Sequence, residues 1–250
     1  MSPLITNSFK AGLKEGRLQS GLWCTISDPL VAEMCASLGF DWMLIDTEHS
    51  AMDPISVLPM LQAVAPYPTS PIVRPGSLNA AEIKKLLDLG AQNLLIPMVQ
   101  NADEAAAAVA AVEYPPKGIR GVSGMTRANR FANIAGYHKQ ARDEIAVIVQ
   151  VETLEAVDEI EAIAAVPGVD GIFVGPADLA AALGHVGEPT HPEVQDAVED
   201  AIRRIVAAGM PAGFLSPDLG FADRITRAGA TFVSRDVDMG ALKRALTERL

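Results

Sequence analysis

The chain has 250 residues, 49% of them hydrophobic and 20% charged, which suits one large domain with its own core. A formal net charge of −11 and the lack of a basic cluster argue against a nucleic-acid surface. No apolar run reaches the roughly 18 residues of a membrane span, and the opening MSPLITNSFKAGLKEGR lacks the apolar core of a signal peptide. Cys24 and Cys35 form no CxxC, so two reduced core cysteines in a soluble, cytoplasmic protein are expected.

Residues 5–15 form a short amphipathic segment, expected as a helix across one end of the fold. GLWCTIS (21–27) reads as a first strand. Asp28-Pro29 starts a helix with proline at its first position, and Gly39 ends it. DWMLID (41–46) is a second strand, followed by the polar loop TEHSAMD and a helix begun by Asp53-Pro54. PIVRP (71–75) is a third strand, and Asn79 caps AAEIKKLLDLG. NLLIPM (93–98) is a fourth, and NADEAAAAVAAVEY (101–114) a helix with an N-terminal cap and early acids.

The pattern breaks over 115–144, which holds no strong period and is expected to have a role at the site or at an interface, with 118–124 within it as a flexible loop. Its GxxGxxG (118–124) has the wrong spacing for a dinucleotide fingerprint. IAVIVQVET and VDGIFVGPAD then supply a fifth and sixth strand around an alanine-rich helical run. Both are continuous apolar runs, as in buried parallel strands, and both stop at polar residues. After the loop GHVGEPTH comes a long helix, PEVQDAVEDAIRRIVAAG. AGFLS (212–216) and TFVSRD (231–236) complete the strands, and DMGALKRALTERL closes the chain as a helix. Eight strand-like segments alternating with eight helical ones imply a single (β/α)8 TIM barrel over 1–250. No Rossmann fingerprint favours an open doubly wound sheet.

In such a barrel the strand C-termini share the active-site rim. Strand two brings Asp46, Glu48 and His49 there, strand three Arg74, strand five Gln150 and Glu152, and the sixth leads into Ala177 and Asp178. Glu152 and Asp178, on consecutive turns, are candidate ligands of one divalent metal. The alternative is that they only favour the positive ends of the helices that follow. His49 is a candidate base, or a solvated loop histidine. Arg74 is a fixed cation, or half of a structural ion pair. Imine chemistry needs a lysine in the barrel, and all seven lysines fall in helical or loop segments.

GFDWMLIDTEHS, PIVRP, LLDLGAQNLLIPMVQNADEA, KGIRG, VQVET, GVDGIFVGPADL and HPEVQDA resemble the metal-dependent (class II) pyruvate aldolases of the 4-hydroxy-2-oxoheptanedioate and 2-dehydro-3-deoxyglucarate aldolase type. The resemblance covers nearly the whole chain. It implies a (β/α)8 barrel, a Mg2+, Mn2+ or Co2+ cofactor, and reversible cleavage of 4-hydroxy-2-keto acids to pyruvate and an aldehyde. It also implies a homo-hexamer, a trimer of dimers that exchange a C-terminal helix. By motif, Glu152 and Asp178 match the metal ligands, and Gln150, Asp178 and the backbone N–H of Ala177 match substrate contacts. His49 matches the base, Arg74 the cation that steadies the enolate, and Asp46 a neighbour of the base. Asp88 matches an aspartate that serves the histidine of the adjacent subunit. The helix after strand three carries Asp88 away from its own rim, so a catalytic role there must be in trans.

The chain departs from the family at GSLNAAE after Arg74, at DTEHS in place of DGEHA, and in a shorter VSGMTRANRFAN loop. All three border the substrate entrance, which leaves the aldehyde partner open. Two rivals stand beside this reading. One is a lyase of the same superfamily acting on a CoA thioester, for which no basic groove is seen. The other is a barrel kept as a binding protein.

Overall fold

In the computed structural model, which describes residues 3–250, eight parallel strands close on themselves in sequence order. They are β1 (Gln19–Cys24), β2 (Trp42–Asp46), β3 (Ser70–Arg74), β4 (Asn93–Ile96), β5 (Ala146–Val151), β6 (Gly171–Val174), β7 (Ala212–Leu215) and β8 (Phe232–Val237). β8 pairs back onto β1, so no strand edge is left open. Helices lie between consecutive strands, giving the expected (β/α)8 barrel.

Strand side chains alternate between two faces, and here parity decides everything about the site. Trp23, Trp42, Leu44, Ile72, Leu95, Ile148, Phe173 and Phe232 point inward and fill the barrel with one apolar cluster. The intervening Leu22, Met43, Ile45, Val73, Leu94, Val147, Val149 and Ile172 face the helices. Each such large side chain, fully buried, contributes about 1.5–3 kcal/mol. Small residues make room for the large ones: a Cβ on Gly21 would overlap the Trp42 ring. The same inward parity continues to the strand ends, from Leu44 to Asp46, Ile72 to Arg74, and Ile148 to Gln150 and then Glu152. A slip of one residue in any of these strands would turn its polar end residue into the helix layer.

The bottom of the barrel is stoppered by the helix Ser8–Lys14, started by the Asn7 side chain, which accepts the Lys10 N–H at 3.0 Å. Its Phe9 lies edge-on to Trp42 and Phe232, with ring centroids 6.2 and 5.7 Å away. This is the segment expected at 5–15, shortened by the Asn7 cap. β1 starts at Gln19, two residues before the expected 21, because the Gln19 N–H joins Thr231 of the β8 side at 2.7 Å. It ends at Cys24 because the next amides, of Thr25 and Ile26, go to the buried Asp238 carboxylate at 3.0 Å.

The segment 115–144 is tied down at several points, including the start of the stretch 118–124 expected as a flexible loop, whose residues 121–124 are exposed and without regular structure. Ile119 and Arg120 donate backbone N–H groups to Ala110 and Glu113, both at 2.8 Å. Arg120 is buried over the Tyr114 ring, and the segment ends in the short helical turns Tyr137–Gln140 and Ala141–Glu144. The closing helix Asp238–Thr247 starts against β1 and β8 and then leaves Met239, Leu242 and Leu246 about half exposed. No helix among the described residues is long and apolar enough to cross a membrane.

Candidate active site

Asp46 is the anchor of the rim. Its buried carboxylate accepts Arg74 Nε–H at 2.9 Å and Arg74 Nη2–H at 2.6 Å, a two-pronged ion pair. It also accepts the Trp23 indole N–H at 3.1 Å and the backbone N–H groups of Glu48 and His49 at 3.0 and 3.3 Å. Burial pushes this carboxyl up, but the Arg74 hydrogen bonds and charge, the indole and the Glu48 amide outweigh it and hold it below the usual range. Arg74 is buried too, its guanidinium 4.9 Å above the Trp23 ring. One aspartate therefore fixes the cation and sets the path of the backbone that carries Glu48 and His49.

Arg74 Nη1 also faces Glu48 Oε2 at 2.8 Å, an ion pair without hydrogen-bond alignment. Glu48 Oε1 stands 3.9 Å from His49 Nε2, so Glu48 bridges the buried cation and the imidazole. The His49 side chain is 67% exposed and has no other partner among the described residues. Burial raises the Glu48 carboxyl above its ordinary value even against Arg74 and His49, and the charges of Asp46 and Asp178 add to the rise.

Glu152, at the end of β5, is buried, and its carboxyl is pushed up to about 7. Burial is the main cause, and the charges of Asp178 and Glu48 add to it against hydrogen bonds from Met98 and Gln150. The Met98 N–H reaches Glu152 Oε1 at 2.9 Å because Met98 adopts a left-handed backbone with φ 54°. The Gln150 amide donates to Glu152 Oε2, which leaves buried Gln150 Oε1 without a partner. Gly175 lies directly behind: a Cβ there would overlap Glu152 Oε2 and stand 2.8 Å from Gln150 Nε2. Asp178 is exposed in the first turn of the helix Pro176–Ala182, whose starting residue Gly175 offers no side-chain cap. The amides of that turn, Ala177 among them, are open to a ligand.

Three carboxylates thus feel one another at one spot, and the cation beside them, Arg74, is already committed to Asp46. A divalent ion fits this donor set: through hard oxygen ligands it would stabilise the charged form of Glu152, which burial disfavours most and the charges of Asp178 and Glu48 disfavour further. The orphaned Gln150 oxygen and the glycine that makes room for the carboxylate fit it as well. The strands themselves carry no lysine, and Lys10 is at the opposite end, in the ion pair with Asp170 at 3.3 Å.

Asp46, Arg74, Gln150, Glu152, Ala177, Asp178 and His49 all lie at the C-terminal ends of β2, β3, β5 and β6. Asp88 does not join them. It ends the helix Ala80–Asp88, which leads back to the start of β4, and pairs with buried Arg120 at 3.2 Å. The sequence reading gave no role to Glu48, Trp23, Met98 or Gly175. Trp23 was findable from the inward parity of β1 and Gly175 from its place before Pro176. A left-handed Met98 leaves no trace in sequence.

Residues 19–245 match the model of the HpcH/HpaI aldolase/citrate lyase family. A pyruvate aldolase of Rhizobium etli is 54% identical, over 96% of this chain and 95% of its own. A hydroxypyruvate/pyruvate aldolase of Sagittula stellata is 53% identical, over 98% and 97%. Among solved structures, an HpcH/HpaI aldolase/citrate lyase family protein of Burkholderia cenocepacia superposes with a TM-score of 0.94 at 39% identity, covering 98% of both chains. The barrel, the carboxylate rim and this full-length similarity agree: the chain belongs to the HpcH/HpaI aldolase/citrate lyase family.

Proposed function

We propose that this protein is a divalent-metal-dependent aldolase that reversibly cleaves 4-hydroxy-2-keto acids to an aldehyde and pyruvate or a close analogue. The observation that carries the reading is the gathering of Glu48, Glu152 and Asp178 beside Arg74 on one rim, with no lysine on any strand for an imine. The activities named for the similar proteins support the same reaction. Glu152 and Asp178 would hold Mg2+, Mn2+ or Co2+. The bound ion supplies Lewis acidity for the negative charge that develops on the keto oxygen.

The chain's own residues do the rest. Arg74 is held by hydrogen bonds from Nε and Nη2 to Asp46, with Nη1 making no aligned hydrogen bond, and its position is set before substrate arrives, so stabilising a developing oxyanion requires no reorganisation. Gln150 and the Ala177 amide orient the keto-acid end, the latter at a helix start that favours a carboxylate. His49 takes the 4-hydroxyl proton as the carbon–carbon bond breaks and returns it in the aldol direction. A positioned base of this kind contributes about 10²–10⁴-fold. Asp46 works through Arg74 and through the His49 backbone.

The open His49 ring leaves room for a neighbouring subunit, which supports Asp88 of one chain serving His49 of another. The half-exposed Leu242 and Leu246 support exchange of the C-terminal helix within a hexamer, a trimer of dimers. A cytoplasmic location accords with this chemistry. The reading is tested by treating the protein with EDTA and measuring pyruvate release from a 4-hydroxy-2-keto acid. Activity is expected to vanish and to return with Mn2+, Co2+ or Mg2+, and borohydride with pyruvate should leave the enzyme active. EDTA-resistant turnover or borohydride inactivation would overturn it.

A further inference from the structure

The loop after the helix Pro176–Ala182 and the first turn of the helix Pro192–Ala207 carry a second set of metal-ligating side chains, separate from Glu152 and Asp178. His185, His191 and Glu193 each present one ligand atom, and these three atoms lie within 4.8 Å of one another. His185 Nε2 is 2.9 Å from Glu193 Oε2. The two imidazoles are stacked, centroids 3.6 Å apart and planes 17° from parallel. The backbone that brings them together is pinned. The His185 N–H is bonded to Ala180 O at 2.8 Å, Glu188 N–H to His185 O at 3.0 Å, and His191 N–H to Glu188 O at 2.9 Å. The long helix Pro192–Ala207 descends from here to β7, so the cluster sits on the same side of the barrel as the end of β6.

We propose that His185, His191 and Glu193 form a second divalent-cation site, selective for transition metals of the zinc, nickel and copper class. Two imidazole nitrogens and one carboxylate oxygen suit those ions, whereas the all-carboxylate rim suits harder ones. A tetrahedral ion with bonds of about 2.1 Å needs donor atoms roughly 3.4 Å apart. The His185–Glu193 pair is already closer than that, and because the stacked rings hold their nitrogen lone pairs in parallel planes, one imidazole must turn out of the stack for both to reach the same ion. His191 Nδ1 now accepts the Glu193 N–H at 3.3 Å. Binding through Nδ1 gives up that bond directly. Binding through Nε2 puts the ring proton on Nδ1 and gives it up as well. Either way that long hydrogen bond at an exposed helix start is given up, together with the His185–Glu193 hydrogen bond at 2.9 Å, in exchange for the metal–ligand bonds. Water completes the shell, since Glu193 is 61% exposed and His185 22%. The bound ion would clamp the end of the Asp178-bearing helix Pro176–Ala182 to the start of the long helix.

The two sites are separated by titrating Zn2+ into the tag-free Glu152→Gln/Asp178→Asn double variant by calorimetry. That variant lacks the rim carboxylates and retains the cluster. One equivalent of Zn2+ is expected to bind, and adding His185→Gln or Glu193→Gln should weaken it at least tenfold. In the otherwise wild-type chain, His185→Gln should retain turnover at saturating Mg2+. Should His185→Gln disturb the fold, the exposed Glu193→Gln carries the test. Absence of Zn2+ binding in the double variant would overturn the proposal. So would binding that survives both cluster substitutions.

Discussion

Gly175→Ala isolates the packing of the Glu152 carboxylate, the proposed metal ligand, from the stability of the barrel. Gly175 has φ −84° and ψ 104°, a backbone that alanine adopts freely. At such a position the substitution alone would stabilise by about 0.4–1 kcal/mol through the unfolded chain. The new Cβ, however, overlaps Glu152 Oε2 and stands 2.8 Å from both Gln150 Nε2 and Glu152 Cβ. Relieving the contact with Glu152 Cβ requires the strand end itself to shift, since that atom is fixed to the backbone, which offsets the entropic gain. The substitution also requires the carboxylate oxygen to move by about 1 Å to reach ordinary contact. The end of a glutamate swings easily, so the fold should survive. Oε1 is tied to the Met98 amide at 2.9 Å, so the swing also costs the placement of the second oxygen. Disturbing the support of a metal ligand typically loses 10–100-fold in affinity, about 1.4–2.7 kcal/mol. Calorimetric titration of Mn2+ should show this loss while the melting temperature of the metal-free protein stays within a few degrees of wild type. Mn2+ affinity within about twofold of wild type, in a folded variant, would refute the placement of Glu152 as a ligand.

His49→Ala should lose roughly 10²–10⁴ in turnover while still binding metal and pyruvate, measured by steady-state kinetics and calorimetry. Asp46→Asn leaves Arg74 buried without its main partner, and breaking a buried pair costs about 3–5 kcal/mol, readable as a fall in the urea midpoint at pH 7. Because the folded Asp46 carboxyl lies below its ordinary 3.8, its contribution is present above that pH and is lost as pH falls through the folded value; the gap between wild type and variant should narrow on acidification. Asp88→Asn subunits mixed with His49→Ala subunits should regain activity in proportion to the sites that draw both intact residues. No recovery under confirmed subunit exchange would exclude the role of Asp88 in trans.

The barrel was legible because its strands are buried on both faces. IAVIVQV and GIFV are continuous apolar runs, and runs of this kind, separated by capped helices, have few other solutions. The rim was legible for the same reason: Asp46, Arg74, Gln150 and Glu152 are polar residues at the ends of segments that otherwise exclude them. What the sequence determined is therefore local, namely period, caps, and the place along each strand where polarity begins. Tertiary structure decided which of these residues meet. Asp46 and Arg74 are 28 positions apart and pair because β2 and β3 are in register at just those residues. Glu48 turned out to bridge Arg74 and His49, and the Arg74 guanidinium to lie over Trp23. The loop 115–144, without a period of its own, was shaped by contacts made elsewhere, Arg120 with Tyr114 and Asp88 among them. Periodicity reports which side of one element is buried; a charge's partner, a left-handed Met98 and a carboxylate's room behind Gly175 exist only once the elements are packed.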